Sequence, residues 1–122
     1  MNWSVQFHAA FESEFDELPR DVQDEILSLM GLLKDFGTQL GRPRVDTLKG
    51  SKLANMKELR FDAADGVWRV AFAFDPKREA IMLVAGDKSG GSEKRFYKRL
   101  IAKADNRFSK HLQSLKTRNR ER

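Results

Sequence analysis

Three basic side chains, Arg60, Arg69 and Lys88, are spaced so that they reach one face of a small β-sheet. Arg60 and Arg69 lie in adjacent apolar runs, and pairing these runs around a short turn places the two arginines opposite each other. Lys88 projects to the same face if the next strand continues past Gly86. Cations grouped in this way suit a phosphate on which charge develops during phosphoryl transfer.

The same side chains also have a plainer interpretation as ordinary ion-paired residues. Glu58 is predicted to share the face of the three cations, where its carboxylate would neutralise Arg60. Tyr97, beside an apolar position of a C-terminal helix, is either an aromatic residue at the core edge or a hydroxyl that reaches the open end of the sheet. The pattern of residues alone leaves both interpretations open.

One strand and two helices are predicted in the N-terminal third. Apolar and polar residues alternate over residues 3–7, which is typical of a strand with one buried face. A helical, acidic pattern covers residues 9–18, Pro19 interrupts it, and the apolar positions of residues 22–33 mark a second helix that stops near Gly37.

Three further strands and a long helix follow, and together they indicate the fold class. The strands are predicted at residues 56–62, 67–74 and 79–86, joined by short turns into an antiparallel meander. Ser92 is the predicted cap of a final helix whose apolar residues recur at nearly four-residue spacing as far as Leu115. We therefore predict an α+β fold, with two N-terminal helices packed on a small antiparallel sheet and a long C-terminal helix.

Strand pairing also predicts which side chains share a face of the sheet. Pairing the last two strands around the turn at residues 75–78 matches Phe72 with Ile81 and Val70 with Leu83. The bulky apolar side chains then occupy one face. The other face keeps Arg69 together with small residues, namely Ala71, Ala73, Val84 and Gly86.

Length and composition favour one domain, residues 1–122, in which we expect residues 116–122 to form a mobile basic tail. No apolar run approaches the roughly 20 residues of a membrane-spanning helix, and the N-terminus lacks the pattern of a secretion signal. We therefore expect a cytoplasmic protein. The chain has no cysteine and only two separated histidines, His8 and His111, so we expect neither a disulfide nor a metal site.

Charge is distributed unevenly along the chain. Residues 1–50 carry 5 basic and 9 acidic side chains, for a net charge of -4, whereas residues 51–122 carry 18 basic and 9 acidic side chains, for a net charge of +9. A basic surface attracts nucleic acid and other polyanions. The alternative is a solvated basic face with no ligand.

An ordered set of short segments resembles the RelE/ParE/HigB toxin superfamily, and most closely its phage-derived HigB-like subgroup. The resemblance covers roughly residues 2–115 and rests on residues 48–52 (LKGSK), 56–60 (MKELR), 68–72 (WRVAF), 86–88 (GDK) and 96–97 (FY). It implies two helices on an antiparallel sheet. It also implies metal-independent cleavage of mRNA in the ribosomal A site, in which the RNA 2′-hydroxyl attacks the adjacent phosphate.

Candidate catalytic residues follow from the resemblance, position by position. Arg69 is similar to the strand arginine that stabilises the transition state, and Arg60 adds to its positive face. Lys88 would contact the scissile phosphate or protonate the leaving oxygen. Tyr97 would stack on a base or take the 2′-hydroxyl proton, which requires neighbouring cations to lower its pKa. Asp46 stands where some members carry a glutamate proposed as the base.

Basic residues of the 48–52 loop, the first of the three later strands and the last helix are the candidates for RNA binding, and the resemblance implies the partners. The candidate RNA-binding residues are Lys49, Lys52, Lys57, Lys94, Arg95 and Lys98. RelE itself has two lysines where this chain has Met56 and Glu58, and parity turns the neighbouring Lys57 to the other face. The expected partners are an antitoxin protein, the ribosome and mRNA, with no membrane and no small-molecule cofactor.

Two other functions stay open from the sequence. The ParE branch of the superfamily keeps the fold but poisons DNA gyrase through protein contacts. A non-catalytic nucleic-acid-binding module would use the same cations to hold a phosphate backbone and would need no base.

Overall fold

A five-stranded sheet forms the centre of the fold, and helices cover both of its faces, which confirms the α+β class. The computed structural model describes residues 3–120, with side chains for residues 3–118. In chain order the elements are β1 (Ser4–Phe7), α1 (Ala9–Phe15), α2 (Arg20–Phe36), a 3₁₀ turn (Gly37–Gln39), β2 (Val45–Thr47), β3 (Met56–Ala63), β4 (Gly66–Phe74), β5 (Glu79–Asp87) and α3 (Glu93–Arg120).

The strands are ordered β1-β5-β4-β3-β2 across the sheet. The predicted antiparallel meander of β3, β4 and β5 is confirmed, whereas β1, whose partner was not predicted, pairs in parallel with β5. The alternation in β1 marks its buried face but says nothing about its direction or its partner. β2 was not predicted, because three residues are too few to show a strand period.

The predicted register of β3 against β4 is confirmed, with Arg60 directly opposite Arg69. The two strands are joined by Ala64 and Asp65, whose φ angles of 49° and 59° are both left-handed. Two left-handed residues in a tight turn match the natural twist of a hairpin. This turn therefore fixes the register that sets the two arginines side by side.

The predicted register of β4 against β5 was wrong, by one residue between Phe72 and the turn and by two residues on the other side of Ala71. Phe72 lies opposite Met82, and Ala71 lies opposite Val84, so Leu83 is an extra residue in β5. Such a bulge reverses the alternation of side chains beyond it. Leu83, together with Ile81, consequently packs under α3 instead of joining Phe72 on the other face.

The three helices divide between the two faces of the sheet. α1 and α2 bury their apolar stripes on one face, where Phe11 and Ile26 are fully buried. α3 covers the opposite face, packing over the small side chains of Ala71 and Ala73. A Cβ atom at Gly86 would lie 2.8 Å from the ring of Phe96, so glycine is what permits this close approach.

Side-chain contacts anchor α3 along its length. The Ser92 hydroxyl accepts a hydrogen bond from the Arg95 amide at 3.2 Å, which confirms the predicted cap. Arg107 donates to both carboxylate oxygens of Glu14, at 2.8 and 2.7 Å, and to the carbonyl oxygen of Leu83 at 2.7 Å. These bonds connect α3 to α1 and to the bulge residue of β5.

The C-terminal end of α3 reaches Arg120. Whether residues 116–122 are mobile stays a prediction, and residues 121–122 lie outside the described residues. Over residues 3–120, the helices are all too short or too polar to cross a membrane.

Replacing Glu14 by glutamine is expected to lower the free energy of unfolding by about 1 kcal/mol at neutral pH. The effect is small because the Glu14 side chain is 41% exposed and solvent screens its charge. The hydrogen bond from Arg107 holds the pKa of Glu14 below its ordinary value of 4.5. This stabilisation is therefore present above pH 4.5 and is lost as the pH falls through the lowered pKa.

Urea denaturation over a pH series measures this difference between Glu14→Gln and the wild type. Glu25→Gln is the matched control, since Glu25 is exposed and has no ion pair within residues 3–118. Equal losses in the two variants would contradict an anchoring role for Glu14.

Candidate active site

A cleft of about 240 Å³ opens between the sheet and α3. β2 supplies Asp46, the following loop supplies Lys49, β3 supplies Glu58 and α3 supplies Tyr97. Four separate elements thus bring ionisable or hydroxyl side chains to one small space. Three of these residues, Asp46, Lys49 and Tyr97, were candidate site residues from the sequence. Glu58 was not, and the structure adds it to the site.

Glu58 and Tyr97, which line the cleft, form a hydrogen-bonded network with the buried Arg69. The Tyr97 hydroxyl donates to Oε1 of Glu58 at 2.9 Å and accepts from Nε of Arg69 at 3.3 Å. Nε of Arg69 is 3.7 Å from Oε1 of Glu58, and Nη1 donates to the carbonyl oxygen of Trp68 at 2.9 Å. Arg69 and Glu58 are only 5% and 6% exposed, so the network pairs two charges that folding removes from water.

Burial changes the proton affinity of two members of the network. It raises the pKa of Glu58, and the Tyr97 hydrogen bond and the charge of Arg69 only partly offset this effect. Burial also raises the pKa of Tyr97, although the Arg69 hydrogen bond acts in the opposite direction. Glu58 is thus a stronger base than an ordinary glutamate, while Tyr97 holds its proton. The condition under which Tyr97 could act as a base, a pKa lowered by nearby cations, is not met, because burial has the larger effect.

Asp46 lies at the more open side of the cleft in a different environment. Its carboxylate accepts from the Thr47 amide at 2.8 Å and lies 3.1 Å from Arg42 and 3.4 Å from Arg60. The Thr47 hydrogen bond, followed by that of Arg42, lowers the pKa of Asp46. Asp46 is therefore a weak base. It also neutralises Arg60, the role that the ion-pair interpretation had given to Glu58.

Lys88 reaches the network from the end of β5, as the parity argument predicted. Its Nζ atom is 5.8 Å from the centre of the Tyr97 ring and 2.6 Å from Oε1 of Glu93. The small residues around Arg69 do not leave its face open, since Tyr97 and Glu58 contact the guanidinium. Strand parity assigns side chains to a face but does not show which helix packs there.

The candidate RNA-binding lysines and arginine do not form one group. Lys49 lines the cleft, and Lys52 is exposed on the same loop. Lys57 projects from the opposite face of the sheet, where Nζ donates to the Thr47 hydroxyl at 3.3 Å. The other three are exposed on the first turns of α3, namely Lys94, Arg95 and Lys98.

Glu58 is the residue whose importance the sequence pattern did not reveal. A signal was available, because Glu58 stands among buried residues of β3 and lies on the same face as Arg69, diagonally across from it. A carboxylate in that position needs a buried cation or hydroxyl as its partner.

Across residues 3–118, no group of three or more acidic or histidine side chains could hold a metal ion.

The hydrogen bond between Tyr97 and Glu58 can be tested by titration. Glu58→Gln removes the carboxylate that raises the pKa of Tyr97, so this pKa is expected to move down toward its ordinary value of 10.0. Tyr97 is the only tyrosine of the chain, so tyrosinate absorbance reports on it alone. Asp46→Asn is the matched control, and an equal midpoint in Glu58→Gln and the wild type would rule out the contact.

Comparison with known proteins identifies the family. Residues 13–109 match the family described as Phage derived protein Gp49-like (DUF891). "Putative toxin HigB3" of Mycobacterium tuberculosis strain H37Rv is 44% identical over 103 residues, which cover 84% of this chain and 88% of that protein. "Putative toxin HigB2" of the same strain is 42% identical over 96 residues, which cover 78% of this chain but only 47% of that protein.

A solved structure shares the fold. The free state of an E. coli RelE toxin variant superposes with a TM-score of 0.57 at 12% identity, covering 84% of this chain and 97% of the other. The resemblance noted in the sequence is thereby confirmed. The chain belongs to the phage-derived Gp49-like family, and its fold is that of RelE.

Proposed function

We propose that this protein is the toxin of a type II toxin-antitoxin system and that it cuts mRNA on the ribosome in the cytoplasm. The HigB names of two relatives support the toxin assignment. The observation that supports the catalytic part of the proposal is the Arg69–Tyr97–Glu58 network, two of whose members line the cleft. It combines a cation, a hydroxyl and a carboxylate of raised pKa, which are groups that phosphoryl transfer needs.

In the proposed reaction Glu58 is the general base. Its carboxylate takes the proton of the RNA 2′-hydroxyl, and the 2′-oxygen forms a bond to the adjacent phosphorus. The bond from phosphorus to the 5′-oxygen of the next nucleotide breaks, leaving a cyclic phosphate and a 5′-hydroxyl. The raised pKa of Glu58 favours this role, because a base works best when its pKa is near the operating pH. Asp46, whose pKa is lowered, is a poorer candidate.

The cations act on the charge that develops during the reaction. Arg69 stabilises the negative charge on the phosphate oxygens, and Lys88 donates a proton to the leaving 5′-oxygen. Tyr97 keeps its proton and, until the phosphate enters, orients Glu58 through its hydroxyl. Each of these residues already lies in or beside the network without substrate, and displacement of the Tyr97 side chain is the change that phosphate binding requires.

The closed form of the network favours dependence on the ribosome. Arg69 is 5% exposed, so a phosphate reaches its guanidinium only after the Tyr97 side chain moves aside. mRNA held in a fixed path by the ribosome can supply the binding energy for that movement, whereas a free and flexible RNA first loses its own conformational freedom.

An antitoxin is the proposed protein partner. Residues 51–122 have a net charge of +9, which favours an acidic and partly disordered antitoxin segment as the ligand. Such a segment would compete with mRNA for the same cations.

Arg69→Ala is expected to reduce the rate of mRNA cleavage on the order of 10²–10³-fold, because the transition state loses its nearest buried positive charge. Primer extension on a defined mRNA in a purified translation system, with and without ribosomes, measures the new ends. Arg20→Ala is the control, since Arg20 is exposed and, among the side chains of residues 3–118, pairs only with the nearby Asp24. Thermal unfolding of each variant verifies that it is folded.

Cleavage that needs both ribosomes and Arg69 would support the proposal. Intact mRNA at inhibitory doses of protein would contradict it, and inhibition in a gyrase supercoiling assay would then favour the ParE-like alternative. Equal losses of RNA binding and toxicity in Arg69→Ala would instead favour the non-catalytic binding module.

The pH dependence of cleavage distinguishes Glu58 from Asp46 as the base. The rate is expected to fall as the pH drops through the raised pKa of Glu58, because the protonated carboxyl no longer accepts a proton. Glu58→Gln should remove most of the activity, whereas Asp46→Asn should keep the same acid limb. Single-turnover rates over a pH series measure both effects, and a missing acid limb in Asp46→Asn would assign the base to Asp46.

A further inference from the structure

The loop between β2 and β3, residues 48–55, forms one wall of the cleft. It carries Lys49, which lines the cleft together with Glu58 and Tyr97. Lys49 is exposed and makes no hydrogen bond or ion pair within residues 3–118. Its charge is therefore free to meet a phosphate, provided that the loop holds it in a defined place.

Asp105 of α3 holds this loop through both oxygens of its carboxylate. Oδ1 accepts from the Ser51 hydroxyl, and Oδ2 accepts from the Lys52 amide at 3.0 Å. The Ser51 oxygen in turn accepts from the Leu53 amide at 3.0 Å. One side chain thus orders three consecutive residues of the loop.

Packing brings the loop close to the same helix. Leu48 is only 3% exposed and belongs to the apolar cluster under α3. Gly50 has a φ of 98°, and a Cβ atom there would lie 3.3 Å from Cδ1 of Ile101. The loop therefore rests on α3 on both sides of Lys49, with Asp105 providing the polar part of the attachment.

The charge of Asp105 is unexpected at this place. α3 contains ten lysines and arginines but only two acidic residues, Glu93 and Asp105. Glu93 pairs with Lys88, whereas Asp105 has no ion pair within residues 3–118 and bonds only to uncharged donors. A negative charge beside a surface that attracts polyanions weakens that attraction. The position of Asp105 is therefore better explained by its hydrogen bonds to the loop than by its charge. Hydrogen bonds to a carboxylate are stronger than those to a neutral acceptor, which suits such an attachment.

We infer that Asp105 is a positioning residue, which fixes Lys49 at the cleft so that it can hold a phosphate of the bound RNA. We call the hydrogen bonds from Ser51 and Lys52 to Asp105 the clamp. Because Tyr97 and Asp105 are on the same helix, the clamp also sets the position of Lys49 relative to the Arg69–Tyr97–Glu58 network. Asp105 acts only through the loop and does not touch the reacting atoms. The role of Lys49 in holding RNA rests on the proposed function, whereas the contacts between Asp105 and the loop do not depend on it.

Asp105→Ala should release the loop and raise the KM for ribosome-bound mRNA about tenfold, while kcat changes little because the network is untouched. Asp105→Asn keeps one acceptor oxygen and should recover part of the loss. In a double-mutant cycle, Asp105→Ala should add nothing further when Lys49 is already alanine. Asn106→Ala, at the exposed neighbouring position, is the control that should behave as the wild type.

Amide hydrogen exchange provides a measurement that does not depend on activity. The Lys52 amide should exchange faster in Asp105→Ala than in the wild type and in Asn106→Ala, while β4 amides stay equally protected. Unchanged exchange at Lys52 would overturn the clamp, whatever the enzyme does. Faster exchange with an unchanged KM, or additive losses in the cycle, would overturn the role in positioning Lys49. If the wild type cuts no mRNA, the proposed function fails, and the exchange result still decides whether the clamp exists.

Discussion

The burial of Arg69 is the constraint on which the arrangement of the cleft depends. A guanidinium that is 5% exposed costs several kcal/mol in lost hydration unless acceptors surround it. Glu58 supplies the countercharge, Tyr97 supplies a hydroxyl oxygen, and the carbonyl oxygen of Trp68 completes the set. Three elements, β3, β4 and α3, must therefore keep their relative positions, since movement of any one of them leaves a buried charge without its partner.

The way α3 lies on the sheet follows from the residues beneath it. Small side chains at Ala71 and Ala73, and the absence of one at Gly86, let the helix approach closely enough for Tyr97 to reach Glu58. The bulge at Leu83 adds apolar surface on the same face and so increases the area that α3 can bury. Packing of apolar groups thus positions the polar network. The network in turn surrounds the buried Arg69 with partners, so that a lysine-rich helix can lie across it.

The sequence predicts much of this arrangement, but it does not predict the contacts of Glu58 with Arg69 and Tyr97. Periodicity and turn residues suffice for α1, α2 and the register of β3 against β4, and hence for Arg60 beside Arg69. They do not reveal the bulge at Leu83, because no glycine or proline marks it. They also leave the lateral position of α3 undetermined, since a helical stripe shows which side is buried but not what lies beneath it. For this reason Glu58 appeared to be a partner of Arg60, whereas its partners are Arg69 and Tyr97.

In the proposed function, the buried network serves attack by an RNA 2′-hydroxyl, and one altered substrate tests this role most directly. The measurement uses ribosome-bound mRNA in which the nucleotide before the cleaved bond is replaced by its 2′-deoxy form, with the natural mRNA as reference. We expect cleavage of the natural mRNA to leave a 2′,3′-cyclic phosphate and the deoxy substrate to remain intact, although it binds equally well. Cleavage of the deoxy substrate at the same bond would show that water or another nucleophile attacks, and it would contradict the role assigned to Glu58.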